Sequence, residues 1–183
     1  MLTDEQKRAL VERARAAVEA EVTGRRGSTR RDGAGDEPEL PHASGAFVTI
    51  KRRGELRGCL GTLRCRRSLA EEVSRCAADA ASEDPRFPPV AIDELAELAV
   101  EVSVLGPLEA IDPHQADAFE IGRHGLVVEQ GHHCGLLLPQ VATEWGWTPE
   151  QFLRQTCVKA GLPPDAWRRG TRVYRFAAEV FGD

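Results

Sequence analysis

The chain has no long apolar run and no Cys-x-x-Cys motif, and basic residues are not in excess over its full length. None of its 183 residues falls in a stretch that approaches the ~20 apolar residues of a membrane-spanning helix. The N-terminus also lacks the apolar core of a secretion signal. These absences predict a protein without a membrane segment.

The cysteines do not form a disulfide or zinc pattern. Five cysteines are an odd number, and no two of them are spaced as Cys-x-x-Cys. We therefore expect a protein of the reducing cytoplasm. His132, His133 and Cys134 are adjacent on one predicted turn, without the spacing or partners of a zinc site, so no metal is expected there.

The charge is acidic overall and basic in one place. The net charge of −5 gives no global field that would attract nucleic acid, so no nucleic-acid partner is expected. Between Lys51 and Arg67, however, seven basic residues accompany a single acid, Glu55. This local excess would suit a small anionic ligand.

Local patterns predict an α+β fold with antiparallel sheets flanked by helices. Capping boxes begin helices over residues 4–22, from Ser68 to about Ser82, and from Thr148 to Gly161. Strands are predicted as hairpins over 45–51 with 55–63 and 119–129 with 134–138, and as single strands over 98–105 and 171–181. Hairpins dominate this order, which favours antiparallel sheet.

One long segment between the predicted elements lacks a core. Residues 24–44 carry Gly, Pro, Ser and mixed charges with hardly any apolar residue. Such a composition cannot bury enough apolar surface, so the sequence predicts a mobile surface loop.

The chemistry of the chain is concentrated in residues 56–61, Leu-Arg-Gly-Cys-Leu-Gly. Cys59 lies between Gly58 and Gly61, which leave room for a ligand, and follows Arg57, whose charge favours the reactive thiolate. The other interpretation is that Cys59 is a small buried apolar residue and Arg57 lies on the surface.

A two-residue turn at Arg53-Gly54 would set the register of the first hairpin. Arg52 would face Glu55, and Val48 would face Cys59. Because side chains two residues apart share a strand face, Arg57 and Cys59 would point the same way.

A proline-rich loop supplies a second polar pair. Asp84-Pro85-Arg86-Phe87-Pro88-Pro89 is too stiff for a regular element. It could present Asp84 and Arg86 as a wall of a site, or it could be a structural corner closed by an Asp–Arg ion pair.

Six sequence blocks in order resemble one family, the AMMECR domain, known in prokaryotes as protein A of the AmmeMemoRadiSam system. The resemblance extends from Thr3 to Phe181. It is carried by Gly45–Thr49, Leu56–Gly61, Asp84–Pro88, Glu101–Leu105, Gly135–Ala142 and Cys157–Leu162. The stretch from Thr62 to Arg67 departs from the family, because it lacks the expected acidic or proline residues.

The resemblance implies a single α+β domain over residues 1–183 with two lobes. The larger lobe would use both chain ends and the smaller lobe would be inserted. The Arg-Gly-Cys-hydrophobe-Gly block would be the functional centre. Gene neighbours of the family imply a Memo-like protein and a radical S-adenosylmethionine enzyme as partners.

Two functions follow as hypotheses. In the first, the protein is an enzyme or catalytic subunit that acts on a small anionic substrate through Cys59, with Arg57 favouring the thiolate. The substrate would be bound by Gly58, Gly61, Asp84, Arg86 and Gln140. In the second, the protein is a non-catalytic adaptor or small-molecule binding component for the two partner proteins. The sequence leaves the cofactor unknown, and no histidine lies near Cys59 in the chain to act as a base.

Overall fold

The computed structural model describes residues 1–25, 39–115 and 117–183. The described chain divides into two compact units. The first contains Met1–Leu105 and Glu179–Asp183, and the second contains Gly106–Ala178. Of the loop predicted over 24–44, residues 26–38 lie outside the described part.

The first unit is a sheet covered by helices. Its elements are α1 (Asp4–Val22), β1 (Gly45–Arg52), β2 (Glu55–Thr62), α2 (Leu69–Ser82), a 3₁₀ helix (Ile92–Glu97) and β3 (Leu98–Leu105). The strands are antiparallel in the order β2-β1-β3. The end of the chain also joins this unit, where the Asp183 N–H donates to the Val100 carbonyl at 3.2 Å.

The core of the first unit lies on one face of this sheet. Helices α1 and α2 pack together, and α2 also packs on β1 and β2. The buried residues include Leu10, Ala14, Val18, Val48, Ile50, Val73, Ala77, Val100 and Val102. Because side chains alternate along a strand, the other face carries the remaining strand residues, among them the thiol of Cys59.

The second unit has its own sheet and core. Its elements are β4 (Glu109–Ile111), β5 (His124–Gln130), β6 (His133–Leu137), α3 (Pro139–Glu144), α4 (Pro149–Lys159), a 3₁₀ helix (Ala166–Arg168) and most of β7 (Arg172–Gly182). The strands are antiparallel in the order β4-β7-β5-β6. Its core includes Leu126, Val128, Phe152, Cys157 and Val173.

The predicted α+β class is confirmed, and so are its locally encoded elements. The capping boxes predicted for α1, α2 and α4 are all present. One strand prediction is wrong at its start, because residues 119–123 form turns and β5 begins only at His124. The 3₁₀ helix over Ile92–Glu97 was not predicted. No helix in the described ranges is long and apolar enough to cross a bilayer.

Candidate functional site

The β1–β2 hairpin positions Cys59 through a β-bulge. The turn residues Arg53 and Gly54 have φ of 53° and 86°, and Arg52 faces Glu55 as predicted. Further along, Lys51 pairs with Leu56 whereas Ile50 pairs with Gly58, so Arg57 is the extra residue of the bulge.

The bulge corrects the predicted register. Thr49 faces Cys59, and the prediction that Val48 would face it is wrong by one residue. One inserted residue shifts every later pair, so Val48 faces Leu60. The bulge also interrupts the alternation from which Arg57 and Cys59 were placed on one face.

The two glycines of the motif are close-packing positions. Gly58 is buried, and a Cβ atom there would lie closer than 3.0 Å to the carbonyl oxygen of Ala80 in α2. At Gly61 an added Cβ would overlap the ring of Phe47. Both glycines therefore have a packing role, besides the ligand space predicted from the sequence.

Cys59 is held through its backbone and is half-buried as a residue. Its N–H donates to the Asp84 carboxylate at 2.8 Å, and its carbonyl accepts from the Arg86 guanidinium at 3.4 Å. The Thr49 hydroxyl donates to Sγ at 3.3 Å. The thiol thus has a hydroxyl donor. Both the N–H and the carbonyl of Cys59 are hydrogen-bonded to side chains of the Asp84–Arg86 loop.

Asp84 and Arg86 form the ion pair that fixes this strand. The Asp84 side chain is 3% exposed and accepts two guanidinium hydrogen bonds from Arg86, at 2.7 and 2.9 Å. These bonds, despite the opposing effect of burial, hold the pKa of Asp84 well below its usual range. Arg86 keeps half of its side chain exposed. Its pKa is raised, first by the bond to Asp84.

Arg57 is bound elsewhere. Its guanidinium forms a two-point ion pair with Glu94, at 2.8 and 2.9 Å, and also donates to the carbonyls of Pro88 and Pro89. The Arg57 and Glu94 side chains are only 13% and 10% exposed. The hydrogen bonds from Arg57 lower the pKa of Glu94 to about 2. Among the described residues, these are the hydrogen-bond partners of Arg57, and Cys59 is not one of them.

The sequence analysis missed several neighbours of Cys59. Across the three strands Cys59, Thr49 and Glu101 are paired in one row, and Lys51 Nζ lies 3.0 Å from a Glu101 oxygen. The alternation in Leu98–Leu105 puts Glu101 on the strand face that points away from the core valines. This pattern could have predicted that Glu101 lies on the same sheet face as Cys59. Glu94 could not be found, because its 3₁₀ helix was not predicted.

The remaining predicted substrate residue belongs to the second unit. Gln140 lies in the first turn of α3 and is half-buried. The network around Cys59 is formed by residues of the first unit. Within the described ranges, no group of three or more His, Cys, Asp or Glu side chains is placed to hold a metal ion.

The other cysteines differ from Cys59 in their surroundings. All five are free thiols. Burial raises the pKa of Cys76 to about 11 and also raises the pKa values of Cys65 and Cys157. Cys134 is exposed on β6.

A family model confirms the resemblance seen in the sequence. The AMMECR1 model matches residues 11–181. The chain belongs to the AMMECR1 family. A protein of Thermococcus onnurineus is 47% identical, with 98% of this chain and 91% of that protein covered. A protein of Methanothermobacter thermautotrophicus is 44% identical over 98% of this chain and 95% of its own length.

A solved AMMECR1-type structure has the same fold. The crystal structure of the uncharacterized protein PH0010 from Pyrococcus horikoshii matches with a TM-score of 0.89 and 43% identity. The match covers 100% of this chain and 93% of that chain.

Proposed function

We propose that this AMMECR1-family protein acts in the cytoplasm as protein A of an AmmeMemoRadiSam system, and that Cys59 is the reactive group of a small-molecule site. The observation that carries the proposal is the set of hydrogen bonds that Cys59 makes. Its backbone is hydrogen-bonded to Asp84 and Arg86, the residue is half-buried, and its thiol accepts a hydrogen bond from Thr49. The packing cysteines Cys76 and Cys157 are buried.

The surroundings of the thiol favour a nucleophile. A hydroxyl donor and a nearby guanidinium both stabilise a thiolate more than a thiol. Of the two guanidinium groups considered, Arg86 is the one that bonds to Cys59, at its carbonyl oxygen, whereas Arg57 bonds to Glu94 and the carbonyls of Pro88 and Pro89. A half-exposed Arg86 also suits the binding of a small anionic substrate.

The test is the rate at which Cys59 is alkylated in the folded protein. In a Cys134→Ser background, Cys59 should be labelled faster at pH 6–7 than Cys65, Cys76 and Cys157, whose pKa values are raised by burial. Peptide mapping after short exposure to iodoacetamide measures the four rates. Labelling of Cys59 only after denaturation would contradict the proposal and leave the cysteine as part of the core.

A matched variant tests the role of Thr49. Thr49→Val keeps the branched shape that suits a strand and removes the donor to Sγ. We expect Cys59 to react about fivefold more slowly, as the loss of one hydrogen bond of about 1 kcal/mol implies. An unchanged rate would show that the hydroxyl does not stabilise the thiolate.

A second function, an adaptor for a Memo-like protein and a radical S-adenosylmethionine enzyme, has one observation in its favour. In the second unit Trp145 is 71% exposed and stacks on Trp147 with ring centroids 6.1 Å apart. Exposed aromatic residues of this kind are typical anchors of protein interfaces.

The adaptor function predicts a measurable loss of binding. Trp145→Ala should weaken binding of a Memo-like protein by about 30-fold, which corresponds to a hot spot of about 2 kcal/mol. Isothermal calorimetry with purified proteins measures the dissociation constant. Val158→Ala, at another exposed apolar position, is the control and should bind as the wild type does. The adaptor function is withdrawn if the wild-type protein itself gives no binding.

A further inference from the structure

The sheet of the first unit places a row of polar groups beside Cys59. Cys59 pairs with Thr49, and Thr49 pairs with Glu101 on its other side. Side chains two residues apart on a strand share a face, so Lys51 accompanies Thr49 and Ser103 accompanies Glu101. We call this surface, opposite the helices, the Cys59 face; it comprises Thr49, Lys51, Cys59, Glu101 and Ser103.

The cation of this row differs from the other basic residues of the hairpin. Arg52 and Arg57 pair with Glu94, and Arg53 pairs with Glu97. Lys51 pairs instead with Glu101, at 3.0 Å, and both of these side chains keep about a third of their surface exposed, 39% and 30%. An exposed ion pair of this kind is weak and exchanges readily for a ligand.

A hydroxyl on the same face lacks a hydrogen-bond partner. Ser103 is 1% exposed, and its Oγ is buried without a partner within the described residues. Buried hydroxyl groups nearly always have a partner, so Ser103 has hydrogen-bonding capacity left over on this face of the sheet. This observation is independent of the charges of Lys51 and Glu101.

We propose that Lys51 exchanges its exposed pair with Glu101 for the carboxylate of a small substrate whose reactive carbon faces Cys59, with the Ser103 hydroxyl as an additional donor. This inference rests on the proposed function of Cys59. A carboxylate fits better than a phosphate, because a doubly charged anion would be repelled by Glu101 at the same position. The basic excess of the hairpin thus acts through Lys51 and not through Arg57.

Two thiol reagents of different charge test the proposal directly. Iodoacetate and iodoacetamide both react by the same displacement, in which the thiolate sulfur bonds to the methylene carbon and iodide leaves. A change in the thiolate fraction alters both rates equally, so the ratio of the two rates measures recognition of the carboxylate. The measurement uses the full chain with Cys134→Ser, at pH 7 and low salt, with peptide mapping at Cys59.

We expect Lys51→Met to slow iodoacetate about tenfold and to change the iodoacetamide rate by less than about twofold. Glu101→Gln should change the ratio in the opposite direction, because it removes the competing carboxylate. Lys159→Gln, in the exposed last turn of α4, is the control and should leave both rates unchanged. At about 1 M salt, where the screening length is about 3 Å, the preference should disappear.

The outcomes separate this inference from the proposed function. If Cys59 of the folded wild type reacts with neither reagent, the reactive-cysteine function is wrong. If Cys59 reacts but the ratio is the same in the wild type, Lys51→Met and Glu101→Gln, the carboxylate subsite is overturned while the reactive thiol stands. Circular dichroism identifies a variant that does not fold. If either Lys51→Met or Glu101→Gln fails to fold, the change in the ratio of rates in the other variant tests the subsite.

Discussion

Gly58→Ala should lower the free energy of unfolding by about 3 kcal/mol, the upper range for inserting one carbon into a packed core. The reason is geometric. The added Cβ would lie closer than 3.0 Å to the Ala80 carbonyl oxygen, which belongs to the backbone of α2 and cannot turn away as a side chain can. Helix α2 would have to separate from β2, which would expose part of the core that they share.

Urea denaturation measures the loss, and thermal unfolding should show a midpoint lower by about 10 °C. Gly106→Ala is the matched control, since its added Cβ would meet nothing closer than 3.4 Å, an ordinary contact. Equal stability of the two variants would contradict the close-packing role of Gly58. A much larger loss of stability in Gly58→Ala than in Gly106→Ala would show that Gly58 is required for packing against α2, independently of any ligand.

The parts of the fold that the sequence predicts well are those encoded within a few residues. Each of the helices α1, α2 and α4 begins at a Ser or Thr whose hydroxyl and third following residue close a capping box. The strand Leu98–Leu105 was found with the correct bounds because its alternation is uninterrupted.

The hairpin register could not be predicted because it depends on distant residues. The turn at Arg53-Gly54 sets only the first pairs correctly, and the bulge at Arg57 then shifts the rest. The side chain of Arg57 is held by Glu94, 37 residues later in the chain. A pattern confined to the hairpin contains no information about that partner.

The candidate site was predictable only where its residues are close together in the sequence. The sequence predicts that the Asp84-Pro85-Arg86 loop is a site wall or a structural corner. In the structure Asp84 and Arg86 form an ion pair that also binds the backbone of Cys59. Thr49 and Glu101 were not predicted as site residues, because only strand pairing brings them close to Cys59. Their position next to Cys59 can be predicted only from the correct β1–β2 register, and the bulge at Arg57 shifts that register.

The ion pair between Arg57 and Glu94 gives Arg57 a role in stability. Arg57→Gln should destabilise the protein by about 2 kcal/mol, because the largely buried Glu94 carboxylate loses its two-point partner and keeps only the Arg52 pair and the Ala91 N–H. Labelling of Cys59 in the folded variant should stay within about twofold of the wild type, since the described partners of Arg57 do not include the thiol. Arg53→Gln is the control: Arg53 is 73% exposed, and such surface pairs contribute less than about 1 kcal/mol.

The pH dependence of stability identifies the group responsible. The pKa of Glu94 is about 2 in the folded protein, below its ordinary value of 4.5, so its ion pair stabilises the fold fully above about pH 4.5. That contribution should be lost as the pH falls from 4.5 towards 2. In Arg57→Gln the pKa of Glu94 rises towards its ordinary value, so stability should fall less steeply over this interval than in the wild type. Urea denaturation at several pH values measures both slopes, and parallel slopes would show that Arg57 does not hold Glu94 in its charged form.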